Sequence, residues 1–304
     1  MKFESYHPTI NLLFFIAALT GTLWFRHPVY LGISFVAAFV YSVHLNGVKA
    51  LVFNLVLLPL AAAYTWWYGF YHHFGMTVLG RNFAGNDITL ESYVYGAVLA
   101  LTVAAAIMWM SCVFAVFSSD KIVYLFGRIS PKLSLFLSIL LRSVPQIKAR
   151  ARKIRIAQCG IGRGPGQGNI GRRIINCLRL LSILITWTLE SFGTSSASMK
   201  SRGYALKGRT AFSIYRFDHR DRTVVIVLFI CLTLTAMAVM LDQTYILYDP
   251  EIIFNRITWV SYIFYAAYAV MLLLPLGLEL YGAQRLRSSL AGAYQQRGRT
   301  VMNL

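Results

Sequence analysis

Acidic side chains are scarce in this sequence: eleven Asp and Glu stand against 29 Lys and Arg in 304 residues, and charged residues make up only 13%. A soluble domain carries about 25% charge, so an ordinary globular fold is excluded. The other side of that deficit is 57% hydrophobic residues and a mean hydropathy of +0.58, the composition of an integral membrane protein. Cysteine is sparse too. Cys112, Cys159, Cys177 and Cys231 are scattered, without a Cys-x-x-Cys pair or a metal-ligand spacing, and read as small apolar side chains in a reducing compartment. The glycine run Gly160 to Gly168 lacks the Gly-Lys-Ser/Thr ending of a phosphate-binding loop, so the chain has no visible means of hydrolysing ATP. It reads as a flexible connector instead. Internal repeats, expected of a self-contained carrier, are missing. No Ala-x-Ala site follows the first apolar run, which therefore reads as a retained span and not a cleaved signal.

The apolar runs come early and close together: Thr9 to Phe25, Val29 to Leu45, Ala50 to Phe70, Glu91 to Phe117, Thr223 to Met240 and Thr258 to Leu280. A span needs roughly 20 residues to cross about 30 Å of hydrocarbon, so six crossings are expected. The net charge of +18 falls between these runs, and roughly sixteen of the 29 basic residues lie between Lys148 and Arg222. Loops rich in Lys and Arg stay in the cytoplasm. That assigns the basic region, Lys49, Ser118 to Lys121 and both termini to the inside, and Tyr71 to Leu90 and the Asp242–Glu251 turn to the outside. Basic residues clustered in cytoplasmic loops between apolar spans explain the charge without nucleic acid. His72 and His73 sit among Trp66, Trp67, Tyr68 and Tyr71 and read as part of an interfacial aromatic belt, since adjacent histidines point to different sides and would need further ligands.

Ser118-Ser119-Asp120-Lys121 reads as the cap of a short helix through Leu125, and two further helix patterns lie in and just before the basic region. Ser130-Pro131 is a cap followed by proline at the first helical position; its apolar part, Leu133 to Val144, is too short to cross, and Pro145 is expected to kink or end it. From Arg172 to Met199, polar residues recur at Arg172, Asn176, Arg179, Ser182, Thr186, Glu190 and Gly193, one face of a helix. Gly203 is a natural helix terminator, which leaves Arg202 projecting at the helix end. Both segments begin and end on the basic side, as amphipathic helices in or near the membrane plane do. The expected fold is all-α and polytopic, with about six spanning helices and two long amphipathic coupling helices. It divides into spanning helices over 1–130, a coupling region over 131–222, and spanning helices with a basic tail over 223–304.

At these residues the chain resembles the T component of energy-coupling-factor transporters, the EcfT/CbiQ family. Ser198-Met199-Lys200-Ser201-Arg202-Gly203-Tyr204, followed by Arg209-Thr210, is similar to that family's second signature, Ala-Met-Glu-Ala-Arg-Gly-Tyr followed by Arg-Thr. Against the first signature, which resembles Arg-x-x-Ala-Gln-x-Ala-Arg-Gly, this chain gives Ile154-Arg155-Ile156-Ala157-Gln158. The chain then departs from it: either Arg163, before Gly164, serves after a two-residue shift, or the register holds and Ile161 replaces the arginine. Leu141-Arg142-Ser143-Val144-Pro145 resembles the family's Leu-Arg-Phe-x-Pro.

The resemblance implies a non-catalytic scaffold, without a cofactor, in a bacterial importer of a vitamin or transition-metal ion. Two cytoplasmic ABC ATPase subunits would dock at Ser201, Arg202, Gly203, Arg163, Gly164 and Arg209. A substrate-binding membrane subunit would pack on apolar residues that include Leu137, Leu141, Leu181, Ile185 and Leu189. The alternative is an intramembrane prenyl or acyl transferase. Such an enzyme needs convergent acids for Mg²⁺, whereas Asp120, Asp218 and Asp221 stand isolated or among arginines.

Overall fold

Two His-Pro pairs open the first two helices of the computed structural model, which describes residues 3–81, 87–204, 206, 215–255 and 257–302. α1 (Pro8–Trp24) and α2 (Pro28–Asn46) each place proline where a helix has no use for its N–H, directly behind a histidine cap. His7 Nδ1 accepts from the Thr9 N–H at 3.4 Å, and His27 Nδ1 from the Val29 N–H at 3.3 Å. α3 (Val48–Tyr71), α4 (Leu90–Val116), α5 (Ser119–Ile129), α6 (Pro131–Gly160), α7 (Ile170–Ser201), α8 (His219–Met240) and α9 (Trp259–Met302) follow.

The helices fall into two compact units: Met1–Ser118 with Tyr215–Leu304, and Ser119–Ile214. In the first unit α4 packs on α1, α2 and α3, while α9 packs on α2 and α8. Its centre is aromatic, with Trp109, Tyr30, Tyr41, Phe14 and Tyr268 buried. A buried indole N–H needs an acceptor, and Trp109 Nε1 donates to Ser34 Oγ at 3.1 Å; that hydroxyl in turn meets Thr22 Oγ1 at 2.5 Å. A carboxylate is also buried in α9. Glu279 accepts from the Phe3 N–H at 3.0 Å and pairs with His44 Nδ1 at 2.9 Å, tying α9 to α2 and to the start of the chain.

Six helices are long and apolar enough to cross a membrane: α2, α3, α4, α7, α8 and α9 as far as Leu286. α1, with 17 residues, spans about 26 Å at 1.5 Å per residue. The protein is an all-α polytopic membrane protein. α7 stands apart, because none of its residues is buried.

Three local features differ from expectation. The loop from Tyr71 to Leu90 contains a hairpin, β1 (Val78–Arg81) against β2 (Asp87–Thr89), and the acidic turn holds a second, β3 (Ile246–Leu247) against β4 (Ile253–Phe254). Glu91 anchors the first, accepting from the Thr77 N–H at 3.2 Å and from its hydroxyl. Gly75 is required beside it: its φ is +113°, and a Cβ there would lie 2.4 Å from Glu91 Oε2. The helix opened by Pro131 runs through Pro145 to Gly160. α6 packs on both α5 and α7, and those contacts outweigh the roughly 3 kcal/mol that an internal proline costs. The short helix expected to finish at Leu125 continues to Ile129.

Candidate functional site

The second unit is built on α5, α6 and α7, and its site is the pair of α6 and α7 with their C-terminal ends. Half-buried or buried residues on α6 recur at Ser143, Ile147, Ala151, Ile154 and Gln158, and on α7 at Asn176, Leu180, Leu184, Thr188 and Ser191. Steps of three and four make each set one helix face. The two helices are joined by Arg150, which donates to Ser191 Oγ at 2.6 Å and lies 5.5 Å from the centre of the Trp187 ring. A guanidinium shared between a hydroxyl and an indole face combines a charged hydrogen bond with a cation–π contact.

With one face of α7 turned to α6 and a second carrying the polar stripe, a third face is apolar and open. Ile174, Leu178, Leu181, Ile185, Leu189 and Phe192 follow one another at steps of four and three, all exposed. Eighteen helical rises from Ile174 to Phe192 make this strip about 27 Å long. Leu181, Ile185 and Leu189, named above, lie on this strip; Ile174, Leu178 and Phe192, not singled out above, share it at the same spacing. Leu137 and Leu141 of α6 are half-buried. Glu190 is exposed, next to Ser191.

Both helices finish in the same hydrogen-bonded turn. At the end of α7 the Gly203 N–H donates to Lys200 O at 3.1 Å and the Tyr204 N–H to Met199 O at 3.2 Å, with Gly203 at φ +77°. At the end of α6 the Gly162 N–H donates to Cys159 O at 3.1 Å and the Arg163 N–H to Gln158 O at 2.9 Å, with Gly162 at φ +74°. This is the Schellman motif, in which a left-handed glycine lets two orphan carbonyls be satisfied. The two turns share this hydrogen-bond pattern, so their positions correspond one to one. Arg202 occupies the cap position immediately before the left-handed glycine. Its counterpart in α6 is Ile161, and Arg163 lies two residues further on, where α7 has Tyr204.

Ser201, Arg202, Ile161 and Arg163 are exposed, and among the described residues neither arginine's guanidinium has a hydrogen-bond or ion-pair partner. Arg209 and Thr210 lie outside the described residues.

Gly164 does not join that exposed set. It is buried, its N–H donates to Gln167 Oε1 at 2.8 Å, and its carbonyl accepts from Asn176 Nδ2 at 3.1 Å. A Cβ at Gly164 would stand 2.6 Å from Cys159 Sγ. The connector between α6 and α7 is thus closed by its own side chains, where glycine content alone suggested flexibility. At the far end of α3, His72 stacks on Tyr68 with ring centres 3.9 Å apart, within the aromatic cluster. Among the described residues no three His, Cys, Asp or Glu side chains come together.

No family model matches the chain. The chain is similar to the energy-coupling factor transporter transmembrane protein EcfT of Bacillus selenitireducens, with 29% identity over 108 residues. The match covers 35% of this chain and 40% of that protein. The resemblance carried by the arginine signatures is accompanied by this sequence similarity to a named T component.

Proposed function

We propose that this protein is the membrane transducer of an energy-coupling-factor importer. Two cytoplasmic ATPase subunits dock at the ends of α6 and α7, and a substrate-binding membrane subunit covers the open apolar strip of α7. Movement of the ATPases, driven by ATP, passes through the two helices and reorients the substrate subunit, which carries a vitamin or a transition-metal ion. The protein itself catalyses nothing. The basic region and both termini face the cytoplasm of a bacterial cell, and α6 and α7 lie in or beneath the membrane plane.

One observation carries this reading: an exposed arginine, without a partner among the described residues, sits at the cap of a helix that its own chain nowhere buries. A guanidinium is always charged and binds a carboxylate through two parallel hydrogen bonds, so it can fix both the position and the identity of a partner. Removing one member of a desolvated pair costs about 3–5 kcal/mol, against about 1 kcal/mol for an exposed one. Arg202→Ala therefore cripples ATPase retention and uptake, and Arg202→Glu does worse by adding repulsion against the partner's acid. The measurement is retention of the ATPases on a tagged chain purified from its host, together with uptake in reconstituted vesicles. Wild-type retention and uptake with Arg202→Glu would overturn the proposal.

A further inference from the structure

A cavity of about 450 Å³ opens in the first unit, where α8 begins and the apolar part of α9 ends. α8 contributes Arg220 and Val224, α9 contributes Leu278, Tyr281 and Arg285, and Tyr6 closes it from the start of the chain. Leu278, Tyr281 and Arg285 follow one another at steps of three and four along one face of α9. Along that face the side chains pass from apolar to amphipathic to charged. The same order holds from Val224 to Arg220, read toward the start of α8. Two packed helices thus present greasy walls and cationic rims at one end of their spans.

Two acids stand near this rim, and one of them is paired with it. Asp221 is committed to the backbone, accepting the His7 N–H at 3.4 Å and the Asp218 N–H at 3.0 Å. Asp218 pairs with Arg220 at 3.1 Å. Among the described residues Arg285 has no ion-pair partner. Arg285 is therefore a cation at the mouth of this cavity with no acidic partner among the described residues.

We infer that this cavity binds an anionic phospholipid, with the phosphate held by Arg285 and Arg220 and the first methylenes lying along Val224 and Leu278. Basic pockets between spanning helices hold anionic headgroups for this reason. Tyr6 and Tyr281 supply hydroxyls at the height of the glycerol esters, the level at which tyrosine concentrates in membrane proteins. Free phosphate would gain nothing from the apolar walls. The lipid would brace the junction of the N-terminal segment, α8 and α9, independently of the ATPase-docking role proposed above.

Native mass spectrometry of the detergent-purified protein, titrated with phosphatidylglycerol and, separately, with phosphatidylcholine, tests this. Phosphatidylglycerol is expected to be retained in preference to phosphatidylcholine. The Arg285 guanidinium is expected to contribute about fivefold, the equivalent of one basic residue at an anionic membrane surface, and Arg220, paired with Asp218, less. Arg285→Gln should therefore weaken retention about fivefold, with recovery in Arg285→Lys. Arg81→Gln, in the exposed hairpin, should leave it unchanged. The Arg220→Gln/Arg285→Gln double variant, checked for an unaltered gel-filtration profile, should abolish the preference. Equal retention of the two lipids by the wild type would overturn the inference, as would an unchanged preference in Arg285→Gln. Displacement by millimolar inorganic phosphate as effective as by the lipid would make the site one for free phosphate, which also overturns it.

Discussion

At the scale of single residues, the position of an arginine relative to its left-handed glycine matters more than its nearness in sequence. Arg202 and Ile161 are structural counterparts, whereas Arg163 hangs two residues past the cap. Arg163→Ala is expected to reduce ATPase retention less than Arg202→Ala does. Ile161→Arg, which restores an arginine to the cap, is expected to raise retention above wild type and to compensate for Arg163→Ala. If Ile161→Arg leaves the Arg163→Ala defect unchanged, the partner reads Arg163 where it stands.

A second prediction concerns His27, which burial holds below the ordinary histidine value of 6.5. Its neutral ring accepts the Val29 N–H and packs near the Tyr30 and Tyr265 rings. Because the folded pKa is the lower one, the unfolded chain takes up the proton first as pH falls. The stabilisation is complete above about pH 6.5 and is lost progressively below it. The thermal midpoint in detergent should drop between about pH 7.5 and 5.5. His27→Asn keeps a capping side chain and should flatten that dependence; an equal drop in the variant would remove His27 as its source.

At the scale of elements, the open strip of α7 and its seam with α6 make separable demands. Leu181→Ser with Ile185→Ser alters only the strip, leaving the Arg150–Ser191–Trp187 junction and the Arg202 cap in place. Retention of the substrate subunit should fall while ATPase retention stays near wild type. Loss of the ATPases instead would mean that the strip faces them. The strip was legible in the sequence because three-and-four spacing announces a helix face, and the ends of α7 were legible because Gly203 can hold a left-handed conformation that other residues resist. The hairpins were not, since strands of two to four residues leave too few positions for alternation to register. Pro145 does not end α6: packing on α5 and α7, invisible in a single sequence, carries the helix past it. The register of the first arginine was undecidable from spacing alone, because several glycines could have taken the left-handed position and only the hydrogen bonds to Cys159 and Gln158 select Gly162.

For the whole molecule, the distribution of basic residues makes a claim about sidedness. In intact cells, single cysteines introduced near Asp87 and Asp249, in a background lacking the exposed Cys159 and Cys177, should react with an impermeant maleimide. Cysteines placed near Arg163 and Arg209 should react only after the membrane is opened. Labelling near Arg163 from outside would mean that the basic region had been translocated, and docking of cytoplasmic ATPases on it would be untenable.

The bareness of α7 also bears on how much of this protein a cell can keep. A helix of 32 residues with none buried by its own chain gains its protection from proteolysis only when another surface covers it. Whatever binds the native form raises its effective stability by mass action, and copies made in excess of that surface are the ones that chaperones and proteases triage. Synthesis rate alone then does not set abundance. In the proposed assembly the scarcest covering subunit does, so its partners would count the complete assemblies and surplus chain would be removed.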